Sequence, residues 1–192
     1  MNSLFPNFVR RRFLSHAGSV TLSAGAIALL GGREALAADG PVDPKADTGI
    51  LNVALGLEHQ GIAAYTLGAK SGLLAKATLE VAVKFQDDHK VHRDALAATI
   101  TKLGGKPVIE KSLEEYARAL KAETLKNEAD VLRLAASLEL GATNAYLSVV
   151  PAFKDGALAQ VAARLAADET AHWAILNKVL GGPLPKAMFF GS

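Results

Sequence analysis

The sequence predicts an all-α protein, a four-helix bundle built from two similar helical hairpins. Apolar residues recur at helical spacing in four long stretches, and no stretch shows the alternation of a half-buried strand. One pattern of acidic, imidazole and aromatic residues also occurs twice. Its first copy is Leu57-Glu58 and Ala64-Tyr65, then Asp88-His89-Lys90-Val91-His92 and Leu96. Its second is Leu138-Glu139 and Ala145-Tyr146, then Asp168-Glu169-Thr170-Ala171-His172 and Leu176. Both copies stop alike, at Leu103-Gly104-Gly105-Lys106-Pro107 and Leu180-Gly181-Gly182-Pro183. A pattern that returns with its spacing intact marks a duplicated supersecondary unit.

The chain opens with an export signal over residues 1–37. Arg10-Arg11-Arg12-Phe13-Leu14 is a twin-arginine pattern, an apolar stretch runs from about Val20 to Leu30, and Ala35-Leu36-Ala37 is a small-x-small cleavage site. The apolar stretch is too short to span roughly 30 Å of hydrocarbon as a helix. A buried N-terminal helix or an uncleaved anchor is the alternative, disfavoured because basic, apolar and cleavage elements arrive in signal order. Such signals resemble those that export proteins already folded, often with a cofactor loaded, so the expected location is the periplasm or another exported compartment.

Residues 38–46, with Gly40, Pro41 and Pro44, read as a linker. Asp47-Thr48 is positioned to cap a first helix running to about Ser71, with Leu51, Leu55, Glu58, Ile62 and Tyr65 on one stripe. A second helix, about Lys76 to Leu103, puts Phe85, His89, His92, Leu96 and Ile100 on one face. Gly104-Gly105 and Pro107 end it. Ser112 and Glu115 form a capping-box pattern that starts a short segment ahead of the third long helix, about Thr124 to Val150. Pro151 and Gly156 turn the chain into a fourth, about Leu158 to Leu180, with Leu165, Glu169, His172, Leu176 and Val179 on one side. The bundle thus occupies 47–182, and 183–192 is an apolar tail containing Met188-Phe189-Phe190, expected to dock on the bundle or on a neighbouring subunit.

With 192 residues, half of them apolar, the chain can bury one proper core. It has no cysteine, which excludes disulfides, thiolate metal sites and a Cys nucleophile. Of 21 basic and 19 acidic residues, four arginines and one glutamate precede Ala38, leaving 17 basic and 18 acidic beyond it. That balance gives no reason to expect nucleic acid as a partner, nor a membrane once the signal is removed.

Metal ligands must therefore be oxygen or imidazole. A carboxylate and a histidine three positions apart on a helix lie on neighbouring turns of one face and can grip one ion. Glu169 and His172 have that spacing; His89 and His92 have it too, with imidazole in the carboxylate's place. With Glu58 and Glu139 from the other two helices, six side chains converge: Glu58, His89, His92, Glu139, Glu169 and His172. Inward carboxylates without a partner are expensive in a core, which favours metal binding over chance placement. The bland alternative is a vestigial site in which these groups satisfy one another as buried ion pairs. Tyr65 and Tyr146, two turns from Glu58 and Glu139, read as core residues with satisfied hydroxyls, or else as donors that orient the ligands or as redox-active groups. Trp173 reads as packing, and His59, off the stripe, as solvent-exposed.

With these residues in place, the chain resembles members of the ferritin-like superfamily, in the style of exported bacterial ferritin-like domain proteins. The likeness covers about Asp47 to Leu180. It implies a carboxylate-and-histidine site for iron or manganese between four helices, with oxygen or peroxide as reaction partner. The fourth-helix motif matches the family pattern. The second-helix motif departs from it, because His89 stands where the pattern has a glutamate that bridges two metals. A neutral imidazole holds only one, and three carboxylates neutralise two divalent ions less well than four. Asp88 could substitute for the missing carboxylate by a small rotation, yet it sits about 100° around the helix from His89. The mixed donor set also suits zinc or copper. The leading expectation is an exported metalloprotein with oxygen- or peroxide-linked redox chemistry of the ferroxidase kind. A non-enzymatic stress-protection or metal-buffering bundle is the alternative, and a heme held by facing histidines is a third. A homo-oligomer is compatible with all three.

Overall fold

The computed structural model describes residues 44–191, and the regular secondary structure among the described residues is all helical, without a strand. Four long helices carry the architecture: α1 (Pro44–Lys70), α2 (Lys76–Lys102), α4 (Glu128–Val149) and α5 (Gly156–Val179). A short α3 (Leu113–Ala119) and a 3₁₀ turn (Ala122–Thr124) lie in the crossover between the hairpins, and a second 3₁₀ turn (Val150–Ala152) lies between α4 and α5. α1 packs on α2 and α4 on α5 within the hairpins, and the hairpins meet chiefly along α1 and α4.

Local signals set most of the ends. Gly104 and Gly181 take left-handed backbone (φ 78° and 73°), and the next glycine of each pair returns its N–H to Ile100 O and Asn177 O, at 2.9 and 2.8 Å. That is the closing bond of a glycine-terminated helix, and it explains why both copies of the repeat end in Leu-Gly-Gly. Ser112 and Glu115 make the reciprocal capping box. Asn127 and Asp155 cap α4 and α5 by accepting from Asp130 N and Ala157 N. Two boundaries differ from expectation. α1 begins at Pro44, ahead of Asp47, because proline suits a first helical turn; Asp47 is inside that turn and buried, so it is not the cap. α4 begins at Glu128, because Asn127 caps it and the preceding residues form the 3₁₀ turn.

The crossover runs along α1. The Asn52 amide clamps it from both sides, donating to Lys106 O (3.0 Å) and accepting from Val108 N (2.8 Å). His59 lies beneath the same strand of chain, its Nε2 3.3 Å from Val108 O and its side chain only 10% exposed. The expectation of a solvent-exposed His59 fails for this reason: the crossover covers it, which helix periodicity cannot foresee.

Two apolar clusters cap the bundle's ends. One joins the start of α1, the ends of α2 and α4 and the start of α5 through Leu51, Leu55, Ile100, Val149 and Leu158. The other joins Tyr65, Phe85, Leu132, Trp173 and Leu176. α1 is therefore antiparallel to α4, and α2 to α5. The tail docks as expected, with Phe189 and Phe190 against the Trp173 ring and Gly191 N donating to Asn144 Oδ1 at 2.8 Å. The predicted export signal, its predicted cleavage site and residues 38–43 lie outside the described residues.

Candidate metal centre

Between the two apolar clusters lies a polar layer. All six predicted residues are in it and all are buried, Glu58, Glu139 and Glu169 at 2% exposure or less. Their donor atoms fall into two overlapping quartets, Glu58, His89, His92, Glu169 and His89, Glu139, Glu169, His172, each within 4.8 Å of one another. His89 and Glu169 belong to both.

The contacts exchange between hairpins as the repeat requires. The Tyr65 hydroxyl on α1 donates to Glu139 on α4, and the Tyr146 hydroxyl on α4 donates to Glu58 on α1. His172 Nε2 lies 3.4 Å from Asp88 Oδ2 on α2, and His92 Nε2 lies 3.3 Å from Asp168 Oδ2 on α5. A carboxylate on the outer ring nitrogen favours the tautomer whose inner nitrogen is free to ligate. Both inner nitrogens face the centre: His92 Nδ1 is 3.1 Å from Glu169 Oε1, and His172 Nδ1 is 3.5 Å from Glu139 Oε2. Tyr65 and Tyr146 thus orient carboxylates besides packing. Asp88 and Asp168 hold histidines, a role sequence reasoning missed although the repeat had placed both acids in register.

His89 breaks the symmetry. Its Nδ1 is 2.7 Å from Glu58 Oε2 and its Nε2 3.3 Å from Glu139 Oε1, so one ring spans the two outer glutamates. The opposing position in the repeat is Glu169. The ring fits because Gly61 leaves room for it: a Cβ there would come within 3.1 to 3.3 Å of three imidazole atoms. The residue in register with Gly61 is Ala142. The exchange of glutamate for histidine on α2 thus coincides with a loss of one methyl on α1, as an accommodated histidine requires. The pairing was readable in the sequence, from the repeat offset, but its meaning needs the distance.

Without metal, the layer is a network of opposed charges. Burial works against the charged form of each histidine, but carboxylates outweigh it. His89 is pushed up to about 11 by Glu139 and Glu58, His92 to about 10 by Glu169 and Glu58, and His172 to about 9 by Glu139 and Glu169. Burial likewise disfavours ionised Glu58 and Glu139, yet neighbouring groups, the histidines among them, hold both below the usual carboxylate range. Glu169 goes the other way, up to about 7, through burial and the adjacent Glu139. Burial and the facing carboxylates raise both tyrosine hydroxyls well above 10, so they stay donors.

The network is incomplete in a way that suits a cation. Glu139 Oε2, Glu169 Oε2 and His172 Nδ1 are buried without a hydrogen-bond partner. Glu169 Oε2 and Glu139 Oε2 lie 3.7 and 3.5 Å from that same nitrogen. Buried polar atoms left unpaired are costly. An ion ligated by these three atoms would satisfy all of them at once, and the all oxygen-and-nitrogen donor set fits iron, manganese or zinc.

Residues 46–182 match the model of the ferritin-like domain family. The chain belongs to the ferritin-like family. Solved structures share its fold at low identity. A conserved hypothetical protein of Mycobacterium tuberculosis, rv2844, is 22% identical with a TM-score of 0.61, over 75% of this chain and 97% of that one. A dodecameric thioferritin, the bacterioferritin-related protein from Bacteroides fragilis, is 20% identical with a TM-score of 0.61, over 83% and 94%. No curated protein matches. The ferritin-like bundle of this chain thus encloses two overlapping sets of carboxylate and imidazole groups able to hold metal.

Proposed function

We propose that this ferritin-like protein binds iron or manganese at Glu58, His89, His92, Glu139, Glu169 and His172 and uses it in oxygen- or peroxide-linked redox chemistry of the ferroxidase kind. The observation that carries the reading is the convergence of three unpartnered buried ligand atoms, Glu139 Oε2, Glu169 Oε2 and His172 Nδ1, inside a layer of matched carboxylates and histidines. Glu58 with His92 forms one end of the site and Glu139 with His172 the other; Glu169 and His89 serve both. Iron or manganese held there would supply the electrons that reduce the oxidant. The chain's own groups do the rest. Tyr65 fixes Glu139 Oε1 and leaves Oε2 for ligation, whereas Tyr146 fixes Glu58 Oε1 while Glu58 Oε2 pairs with His89. Asp88 and Asp168 hold the two outer histidines with Nδ1 inward. Apolar clusters flank the layer at either end, and its six side chains are themselves buried.

A second reading, a metal-buffering or stress-protective bundle without turnover, draws support from His89. Its ring pairs with both outer glutamates, and a site partly satisfied by itself has less need of two ions. Oxidant consumption separates the readings. Mature protein loaded anaerobically with ferrous iron should consume oxygen or peroxide in proportion to protein, and Glu169→Gln should abolish that consumption. Metal uptake with no oxidant consumed would favour the buffer.

Export through the twin-arginine route is part of the proposal and rests on residues 1–37. The dodecameric state of the Bacteroides fragilis protein supports a homo-oligomer for this chain, and the exposed Leu184 and Met188 of the tail are apolar surface for such a contact.

A further inference from the structure

The two ends of the bundle are related by the repeat but are not packed alike. At the end where α1 begins, Leu55, Val149 and Leu158 fill the core. The residues in register at the other end are Ala136, Gly68 and Thr78, each smaller, and Gly68 and Thr78 line the space left there. That end holds a cavity of about 200 Å³, walled by α1, α2, α4 and α5. Its described lining carries no charged side chain, and only Tyr65 and Thr78 bring a polar side-chain atom. Val81, Ile175 and Val179, 39%, 46% and 61% exposed, rim a mouth between α2 and α5.

The inner wall adjoins the polar layer. Phe85 lines the cavity and stacks on the His172 ring with centroids 4.1 Å apart. Tyr65 lines it too and donates its hydroxyl to Glu139. Anything seated in the chamber is one side chain from the candidate ligands. Empty core volume costs stability, and the sister end shows that this same fold can fill the space with ordinary aliphatic residues. An apolar cavity of roughly 150 Å³ is already enough to hold benzene. The absence of any charged lining residue rules against a charged occupant, because burial without a partner penalises it. The concave wall drawn from four helices suits a small molecule rather than a protein surface.

We propose that this chamber is a binding site for an uncharged, hydrocarbon-like small molecule, presented to the metal layer through Phe85 and Tyr65. Binding itself does not depend on metal; the placement beside a reactive centre rests on the function proposed above. Naphthalene is a suitable probe, added to metal-free mature protein in equilibrium dialysis. One molecule should bind per chain. Ala82→Phe, which fills the chamber, should weaken binding at least tenfold with the solution mass unchanged. Thr78→Leu, which installs the sister end's residue, should weaken it in the same direction and serves as the second variant if Ala82→Phe does not fold. No binding, or equal binding by a folded filled variant, overturns the proposal. So does a change in solution mass in the filled variants with no naphthalene bound, which would make the surface a subunit interface. The two claims are separable with cobalt-loaded protein. Naphthalene should shift its visible bands, whereas binding in the metal-free protein with no cobalt uptake at all would uphold the chamber and count against the metal centre.

Discussion

At the residue scale, His89 and Gly61 are one feature. The His89 ring occupies space that a methyl group on Gly61 would contest, at 3.1 to 3.3 Å. Gly61→Ala should therefore displace the ring and weaken manganese binding about tenfold, the lower range for changes that support a ligand, while leaving helix content intact by circular dichroism. The double change His89→Glu with Gly61→Ala copies Glu169 and Ala142 from the other half, and should raise the bound metal above that of wild type. If Gly61→Ala binds manganese as wild type does, the coupling is wrong. Asp88 and Asp168 offer a parallel check. Asp88→Asn and Asp168→Asn remove the anionic partners of His172 and His92, and each should lower metal affinity about 10- to 100-fold in a competition titration. All six central residues were readable from helix periodicity, because a polar residue on an apolar stripe has few inexpensive explanations. Asp88 and Asp168 were not, because each lies off its own helix's inner stripe and reaches a histidine on the opposing hairpin. His59 was misjudged for the same class of reason, since a neighbouring segment decides its burial.

At the scale of elements, the fold was legible where local chemistry decides it. The Leu-Gly-Gly stops and the Ser112 capping box need only a few adjacent residues, and the structure keeps both. Ser112→Ala should cost about 1 kcal/mol of stability, seen as a lower denaturation midpoint. Gly104→Ala should cost at least about 1 kcal/mol because φ is 78° there and alanine is strained in that region. Helix starts were less legible. Proline at α1's first turn and the 3₁₀ turn ahead of α4 shift the boundaries by a few residues, within the range where neighbouring signals compete. The hollow at one end was not legible at all. It depends on which residues face each other across four helices, and only the repeat register, Val149 against Gly68 and Leu158 against Thr78, records it afterwards.

For the whole molecule, the polar layer sets how stability responds to pH and to metal. The histidines' folded values of about 11, 10 and 9 lie above the ordinary 6.5, so their contribution is fully present below about 6.5 and is lost as pH rises through 9 to 11. Glu58 and Glu139 are depressed, so theirs is present above about 4.5 and lost as pH falls below it. Glu169, raised to about 7, acts oppositely and favours the fold most below its ordinary 4.5. Metal-free protein should therefore melt highest between about pH 5 and 7, and lower on both sides; a melting temperature still rising at pH 10 would contradict the assignment of the ion pairs. Metal binding must displace the protons on the ligating histidine nitrogens, so apparent affinity should rise with pH between 6 and 8. At 100 times its Kd, a bound ion adds about 2.7 kcal/mol, or roughly 5–10 °C in a domain this size. The central claim, that matched carboxylates and histidines from four helices hold metal, is tested most directly by elemental analysis. Mature protein, purified without chelator or added metal, is compared with His172→Ala for atoms of each metal per chain. One to two iron or manganese per chain are expected in the wild type, with a marked loss in the variant. No metal in the wild type even after reconstitution, or an unchanged content in His172→Ala, would contradict it.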